Sequence, residues 1–295
     1  MNSERCRWLS LACLMVSTAH AGDINKYSAS LGMQGDSNDN RQWLGKVAVP
    51  LGASAWAQAS MGKSELAVPG ANDTKIVGAA LGANGKNISA AVEFVQRKGD
   101  ARFEQQNWAA TLDWRGMRGS LGLDLAARSA NGTSTSTQTT GGVFGAPLTT
   151  TVRESVDGKG YGLHGDFALT SRFIVTAGAM RYRYDFDVSS TRTTNNTPLS
   201  SLLGMQAAIP GAWRDQAFVD RTYRVGGTYL LQGAAIGAQY FRDHVANTDE
   251  TFSTVQLQAE LPIAEQWTLS PTLGYSDGGS IGNVTYGGMN VRYSW

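Results

Sequence analysis

Alternation at period two is the dominant pattern of this chain. From Gly287 to Trp295 the odd positions read Gly287, Met289, Val291, Tyr293, Trp295, and the even positions Gly288, Asn290, Arg292, Ser294. One face suits an apolar medium and the other suits water, as on a strand whose successive side chains point to opposite sides. The same alternation recurs upstream. Ile88, Ala90, Val92 and Phe94 alternate with Ser89, Ala91 and Glu93, and Trp108, Ala110, Leu112 and Trp114 with Ala109, Thr111 and Asp113. Leu121, Leu123 and Leu125 flank Gly122 and Asp124. Tyr161, Leu163, Gly165, Phe167 and Leu169 flank Gly162, His164, Asp166 and Ala168. Trp267, Leu269, Pro271, Leu273 and Tyr275 repeat the pattern. Between Met180 and Phe186 it places Met180, Tyr182, Tyr184 and Phe186 on the apolar face and Arg181, Arg183 and Asp185 on the polar one.

The connectors are of two kinds. Short turns are expected at Pro50-Leu51-Gly52, Asn84-Gly85-Lys86, Arg115-Gly116-Met117, Thr170-Ser171-Arg172 and Leu231-Gln232-Gly233. Longer polar loops are expected from Gln34 to Asn40, Lys63 to Thr74, Asn131 to Thr150, Val188 to Asp215 and Asp277 to Asn283. The Asn131 to Thr140 tract, rich in Thr, Ser and Gly, reads as a mobile loop or as strands extended above a membrane. Pairing the segments predicts roughly 14 strands, with 12 as the alternative, under the even-strand rule of bacterial barrels.

No run of about 18 apolar residues follows the N-terminal segment, so no spanning helix is expected there. With two-faced strands throughout, the remaining membrane solution is a closed barrel, which leaves no backbone group unpaired in lipid. The predicted class is therefore an all-β, antiparallel, up-and-down transmembrane barrel. A soluble β-sandwich is the alternative; it would require the Leu121/Leu123/Leu125 and Trp108/Leu112/Trp114 faces to pack against each other. Aromatics gather at predicted strand ends: Trp114, Tyr229, Trp267 and Trp295 at the short-turn side, and Trp43, Tyr182, Tyr184, Tyr240 and Tyr275 at the other. Two headgroup-level girdles are the expected reading.

The N-terminus carries its own signal. Arg5 and Arg7 precede the apolar stretch Leu9 to Val16, and Ala19-His20-Ala21 supplies small residues where a signal peptidase reads. Cleavage is expected after Ala21, leaving residues 22–295 as the barrel domain. Both cysteines, Cys6 and Cys13, lie in the removed segment, so the mature chain has no disulfide or thiolate metal site. The full chain holds 25 basic and 24 acidic residues; losing Arg5, Arg7 and Glu4 leaves 23 of each. That balance gives no electrostatic footprint for nucleic acid.

The signal segment, the alternating strands, the turn asymmetry and the terminal Trp295 together resemble bacterial outer-membrane porin-like barrels as a class. The resemblance implies outer-membrane lipid as surroundings, short turns toward the periplasm, and a closing strand (Val291, Tyr293, Trp295) that the barrel assembly machinery reads.

The candidate chemistry lies on the predicted lumen face. The register points Lys26, Lys46, Glu93, Arg97, Asp113, Asp124, Arg128, Asp166, Arg181, Arg183, Asp185, Arg224, Glu260 and Arg292 inward. A charged ring around a water-filled hole would set ion preference, and Arg181, Arg183 and Arg224 are expected to form a basic patch. Leu199, Leu202, Leu203, Met205 and Ile209, between Pro198 and Pro210-Gly211, read as a short plug helix at the mouth or as a packed loop. The mature histidines are His164 and His244, and neither has a hydrolase motif around it. No cofactor or metal motif is present. Three functions fit: a pore for small hydrophilic solutes, a barrel exporting a polymer such as a polysaccharide, or an outer-membrane hydrolase.

Overall fold

A computed structural model describes residues 26–65, 73–99, 103–139, 147–194, 218–246, 249–278 and 282–295. The signal segment and the proposed plug residues (Leu199, Leu202, Leu203, Met205, Ile209) lie outside them. Fourteen strands follow one another: β1 (Ser28–Asp36), β2 (Arg41–Pro50), β3 (Ala55–Glu65), β4 (Thr74–Asn84), β5 (Ile88–Lys98), β6 (Phe103–Arg115) and β7 (Gly119–Thr139). Then come β8 (Pro147–Ala168), β9 (Phe173–Thr194), β10 (Val219–Leu230), β11 (Ala235–Val245), β12 (Glu250–Ala264), β13 (Trp267–Asp277) and β14 (Val284–Ser294). Each strand pairs antiparallel with its sequence neighbours, and β1 pairs with β14 to close the barrel. Beyond the ladder, Tyr27 and Trp295 exchange backbone hydrogen bonds of 3.1 and 3.0 Å, and their rings stack at 5.9 Å.

All five predicted short turns are present, and Gly52 (φ +97°) and Gly233 (φ +80°) hold the left-handed conformation their turns require. A sixth joins β12 to β13 at Glu265-Gln266. It carries neither Gly nor Pro, so composition gave no sign of it. The predicted long loop from Gln34 to Asn40 is corrected. β1 runs to Asp36, and Asp36 Oδ1 accepts from the backbone N–H groups of Asn38 (2.8 Å) and Asn40 (3.1 Å). An aspartate that bonds the chain two residues on makes a compact turn without a β-turn signature. In the Asn131 to Thr150 tract, strand extension is found. β7 spans 21 residues and β8 22, paired from Gly119↔Phe167 to Thr139↔Pro147.

The pairings fix which face is which. Trp114 stands opposite Leu121, Leu112 opposite Leu123, and Ala110 opposite Leu125, all on the outside. Leu121 and Trp114 remain 59% and 58% exposed. The two apolar faces that a sandwich would have buried against each other lie side by side on one open surface. Such a continuous apolar exterior is far larger than a soluble monomer tolerates, and it suits lipid.

Candidate functional site: the inner wall

With strands about 4.8 Å apart and tilted about 40°, a circular 14-strand barrel has a backbone radius of roughly 14 Å. That is wider than the side chains of opposite walls can bridge. The face holds many, not all, of the residues the alternation assigned to it. Glu93 and Arg97 (β5), Asp113 (β6), Asp124 and Arg128 (β7), Arg224 (β10) and Arg292 (β14) all share the inward phase.

Near the short-turn end, charges are matched. His164 on β8 sits between two carboxylates, with Nδ1 2.8 Å from Asp124 Oδ2 and Nε2 2.8 Å from Asp113 Oδ1. Asp113 also accepts from Ser89 Oγ at 3.4 Å, and Ser120 Oγ donates to Asp166 at 3.2 Å. Asp166, two residues from His164 on the same face, is bound instead to Ser120 on the neighbouring strand. Gly122, between Asp113 and His164, leaves the room for them; a Cβ there would collide with both. Arg292 on β14 donates to Glu260 on β12, two strands away, at 2.5 Å.

Higher up, cations are not matched. Arg128 Nε donates to Asn107 Oδ1 (3.0 Å), its Nη1 to Tyr184 Oη (2.9 Å), and its guanidinium lies 4.9 Å from the Tyr182 ring centre. Arg97 stands near enough to interact with Arg128. Its Nε is buried without a hydrogen-bond partner. Among the described residues neither guanidinium has a carboxylate within ion-pairing distance. Two neighbouring cations without a carboxylate, Arg128 held by Asn107 and Tyr184, are set to receive an anion.

The same contacts correct the reading of β9. Tyr161 pairs with Arg181 and Lys159 with Arg183, and Tyr161 belongs to the exterior face. Arg181, Arg183 and Asp185 therefore point outward, while Met180, Tyr182 and Tyr184 point into the lumen. The cause is local. Gly158 and Gly160 on β8 open two slots on the inner wall, and the rings of Tyr184 and Tyr182 lie over them. A tyrosine covering a cross-strand glycine is a recurrent sheet device; here it outweighs the apolar character that suggested lipid. Of the expected Arg181/Arg183/Arg224 patch, only Arg224 lines the wall, with its side chain beside Gly178 and His164. Tyr182 and Tyr184 accordingly leave the expected girdle, while Trp43, Tyr240 and Tyr275 remain on the outer face.

At the long-loop end the inner wall turns apolar. Ile76, Val156, Val219, Val245, Phe252 and Val284 point inward there and are all buried. Phe218, just before β10, packs on Ala130, Val156 and Tyr184. Alternation alone could not reveal this collar, because an inward apolar residue near a strand end looks like a break in the pattern. Val291, Tyr293 and Trp295 stand on the exterior of β14, where Tyr293 stacks on Trp267 at 4.8 Å and on Trp295 at 5.4 Å. His244 lies at the long-loop end, 2.5 Å from Asp220 and 3.0 Å from Asp249. The ring nitrogens of both histidines meet carboxylates, not hydroxyls.

No protein-family model matches the chain, and no curated protein matches it. Solved structures do align. The CymD monoaromatic hydrocarbon channel superposes with a TM-score of 0.58 at 8% identity, over 92% of this chain and 88% of that one. A bacterial polysaccharide outer membrane secretin gives 0.47 at 9% identity, over 92% and 99%. The KdgM porin in complex with disordered oligogalacturonate gives 0.42 at 10%, over 91% and 99%. At these identities the likeness is one of fold: a closed antiparallel β-barrel.

Proposed function

We propose that the chain forms an outer-membrane pore for small hydrophilic solutes, with a preference for anions. The observation that carries this reading is the lumen pair Arg97 and Arg128, two inward guanidiniums with no carboxylate partner among the described residues. The lower wall supports it by contrast: Asp113, Asp124 and Asp166 are engaged by His164 or Ser120, and Glu260 by Arg292. The lipid-facing exterior supports the location, as does the expected signal segment with cleavage after Ala21. The terminal strand with Tyr293 and Trp295 supports delivery through a barrel assembly machinery.

The test is single-channel recording of the refolded mature chain in a planar bilayer under asymmetric salt. Stable open steps with a reversal potential on the anion side are expected. Arg97→Gln with Arg128→Gln should move that potential toward the unselective value. Asp113→Asn should move it little. A folded, inserted and silent barrel would remove the pore reading and shift attention to the polymer-export alternative, in which a periplasmic partner is required. An unchanged reversal potential in the double variant would remove the assignment to Arg97 and Arg128.

A further inference from the structure

We propose that the outward face of β8–β11 binds the phosphate groups of outer-leaflet lipid through Lys159, Arg181, Arg183, Arg221 and Arg242. The proposal rests on the outer-membrane reading above. Lys159 stands directly opposite Arg183, and Arg181 directly opposite Arg221. Arg242 faces Tyr223 and so lies diagonal to Arg221. Directly opposed like charges on one sheet face are destabilising. Five cations across four neighbouring strands therefore call for a counter-anion.

The protein supplies little of it. Asp220 reaches Arg221 at 3.4 Å but is also bound to His244. Asp157 and Asp185 stand opposite each other one step nearer the loops, and neither forms an ion pair with Lys159 or Arg183. All five cations are exposed. The far side also carries opposed cations, Lys75 facing Lys63 and Lys98, but there acids of the protein stand among them: Lys63 is bound by Glu65 at 2.7 Å and Asp73 at 2.6 Å, and Lys98 faces Glu104.

Height identifies the anion as lipid-borne. At about 2.5 Å of climb per tilted residue, Arg181 lies roughly 20 Å above Phe173 at the short-turn end, near the top of an apolar band about 25 Å tall. Tyr161 shares the rung of Arg181 and Tyr223 that of Arg242, and below them on the same face come Leu163, Val225 and Phe167, all exposed. The exterior thus orders aliphatic residues, then tyrosines and cations together, then acids from lipid outward, and the layer of tyrosines and cations meets the headgroup phosphates. Guanidinium forks match phosphate oxygens bidentately.

The experiment refolds the mature chain into phosphatidylcholine vesicles with and without a minor fraction of lipid A, re-purifies the barrel in zwitterionic detergent and counts bound phosphorus per chain. Heat-shifted gel mobility verifies folding. Wild type is expected to retain lipid A. Each cation lost near an anionic surface is worth about fivefold in affinity, so Lys159→Gln/Arg181→Gln/Arg183→Gln should lose retention. Arg181→Lys/Arg183→Lys should keep part of it, and Lys75→Gln/Lys98→Gln should keep it. Equal retention by wild type and the triple variant would overturn the proposal. So would displacement of lipid A by millimolar inorganic phosphate, which would make the site one for free anions. Failure of the triple variant to fold leaves the charge-keeping lysine variant and the far-side control to decide the matter: equal retention by the lysine variant, or loss in the control, would overturn it. A barrel that conducts but has no lipid preference defeats this inference alone; one that neither inserts nor conducts defeats the functional reading beneath it.

Discussion

Leu123→Arg will destabilise the bilayer-inserted barrel by about 2–4 kcal/mol, the cost of a guanidinium on the lipid face at mid-membrane. Leu123 stands on β7 opposite Leu112 and Leu163, and each is exposed on the exterior. It is four residues above Gly119, where the strand leaves its short turn, hence roughly 10 Å into an apolar band about 25 Å tall. An arginine there cannot reach either interface without bending away from its neighbours. The next residue makes the control. Asp124 points to the lumen, and Asp124→Asn places nothing in lipid; it keeps an acceptor for His164 and removes only the charge, a loss of about 1 kcal/mol. Urea unfolding in phosphatidylcholine vesicles, followed by tryptophan emission, measures both. A cost below about 1 kcal/mol for Leu123→Arg would mean the Leu121/Leu123/Leu125 face meets something other than lipid.

Most of this architecture was readable from the residues because a barrel wall obeys one rule. Each strand needs an apolar side for lipid and a polar side for water, so Leu121/Leu123/Leu125 and Tyr161/Leu163/Phe167 declare their phase without tertiary information. The strand count and five of six short turns followed from the same alternation. Phase failed on β9, where both faces carry amphipathic groups. Tyrosine suits lumen and headgroups alike, and arginine suits lumen and phosphate alike. The deciding signal sat on another strand, in the in-phase glycines Gly158, Gly160 and Gly162 of β8. Paired against β9, they leave volume on the inner wall that only Tyr182 and Tyr184 fill. The pairing of His164 with Asp113 and Asp124 was likewise out of reach, because both partners lie 40 or more residues away. So was the apolar collar, whose members come from six different strands.

Gly158 and Gly160 also carry the second large effect. Gly158→Val with Gly160→Val will destabilise the barrel by about 1–3 kcal/mol per site, the usual cost of overpacking. A Cβ at position 158 would stand 2.5 Å from the Tyr184 ring, and one at position 160 would stand 2.6 Å from the Tyr182 ring. Both rings must lift off the wall. Tyr184 then loses its bond to the Val219 carbonyl oxygen (2.8 Å) and the bond it accepts from Arg128 (2.9 Å), along with its edge contact to Phe218 at 5.4 Å. Two effects therefore move together: the unfolding midpoint falls, and Arg128, freed from its tyrosines, changes the reversal potential of whatever channels still open. Tyr184→Phe separates them. It keeps the ring over Gly158 and the packing on Phe218 but deletes both hydrogen bonds, for about 1 kcal/mol. If the phenylalanine variant shifts the reversal potential while its stability falls only slightly, the tyrosine positions Arg128 for solute. If only stability changes, the Tyr–Gly clamp braces the wall and Arg128 holds its place through Asn107 alone.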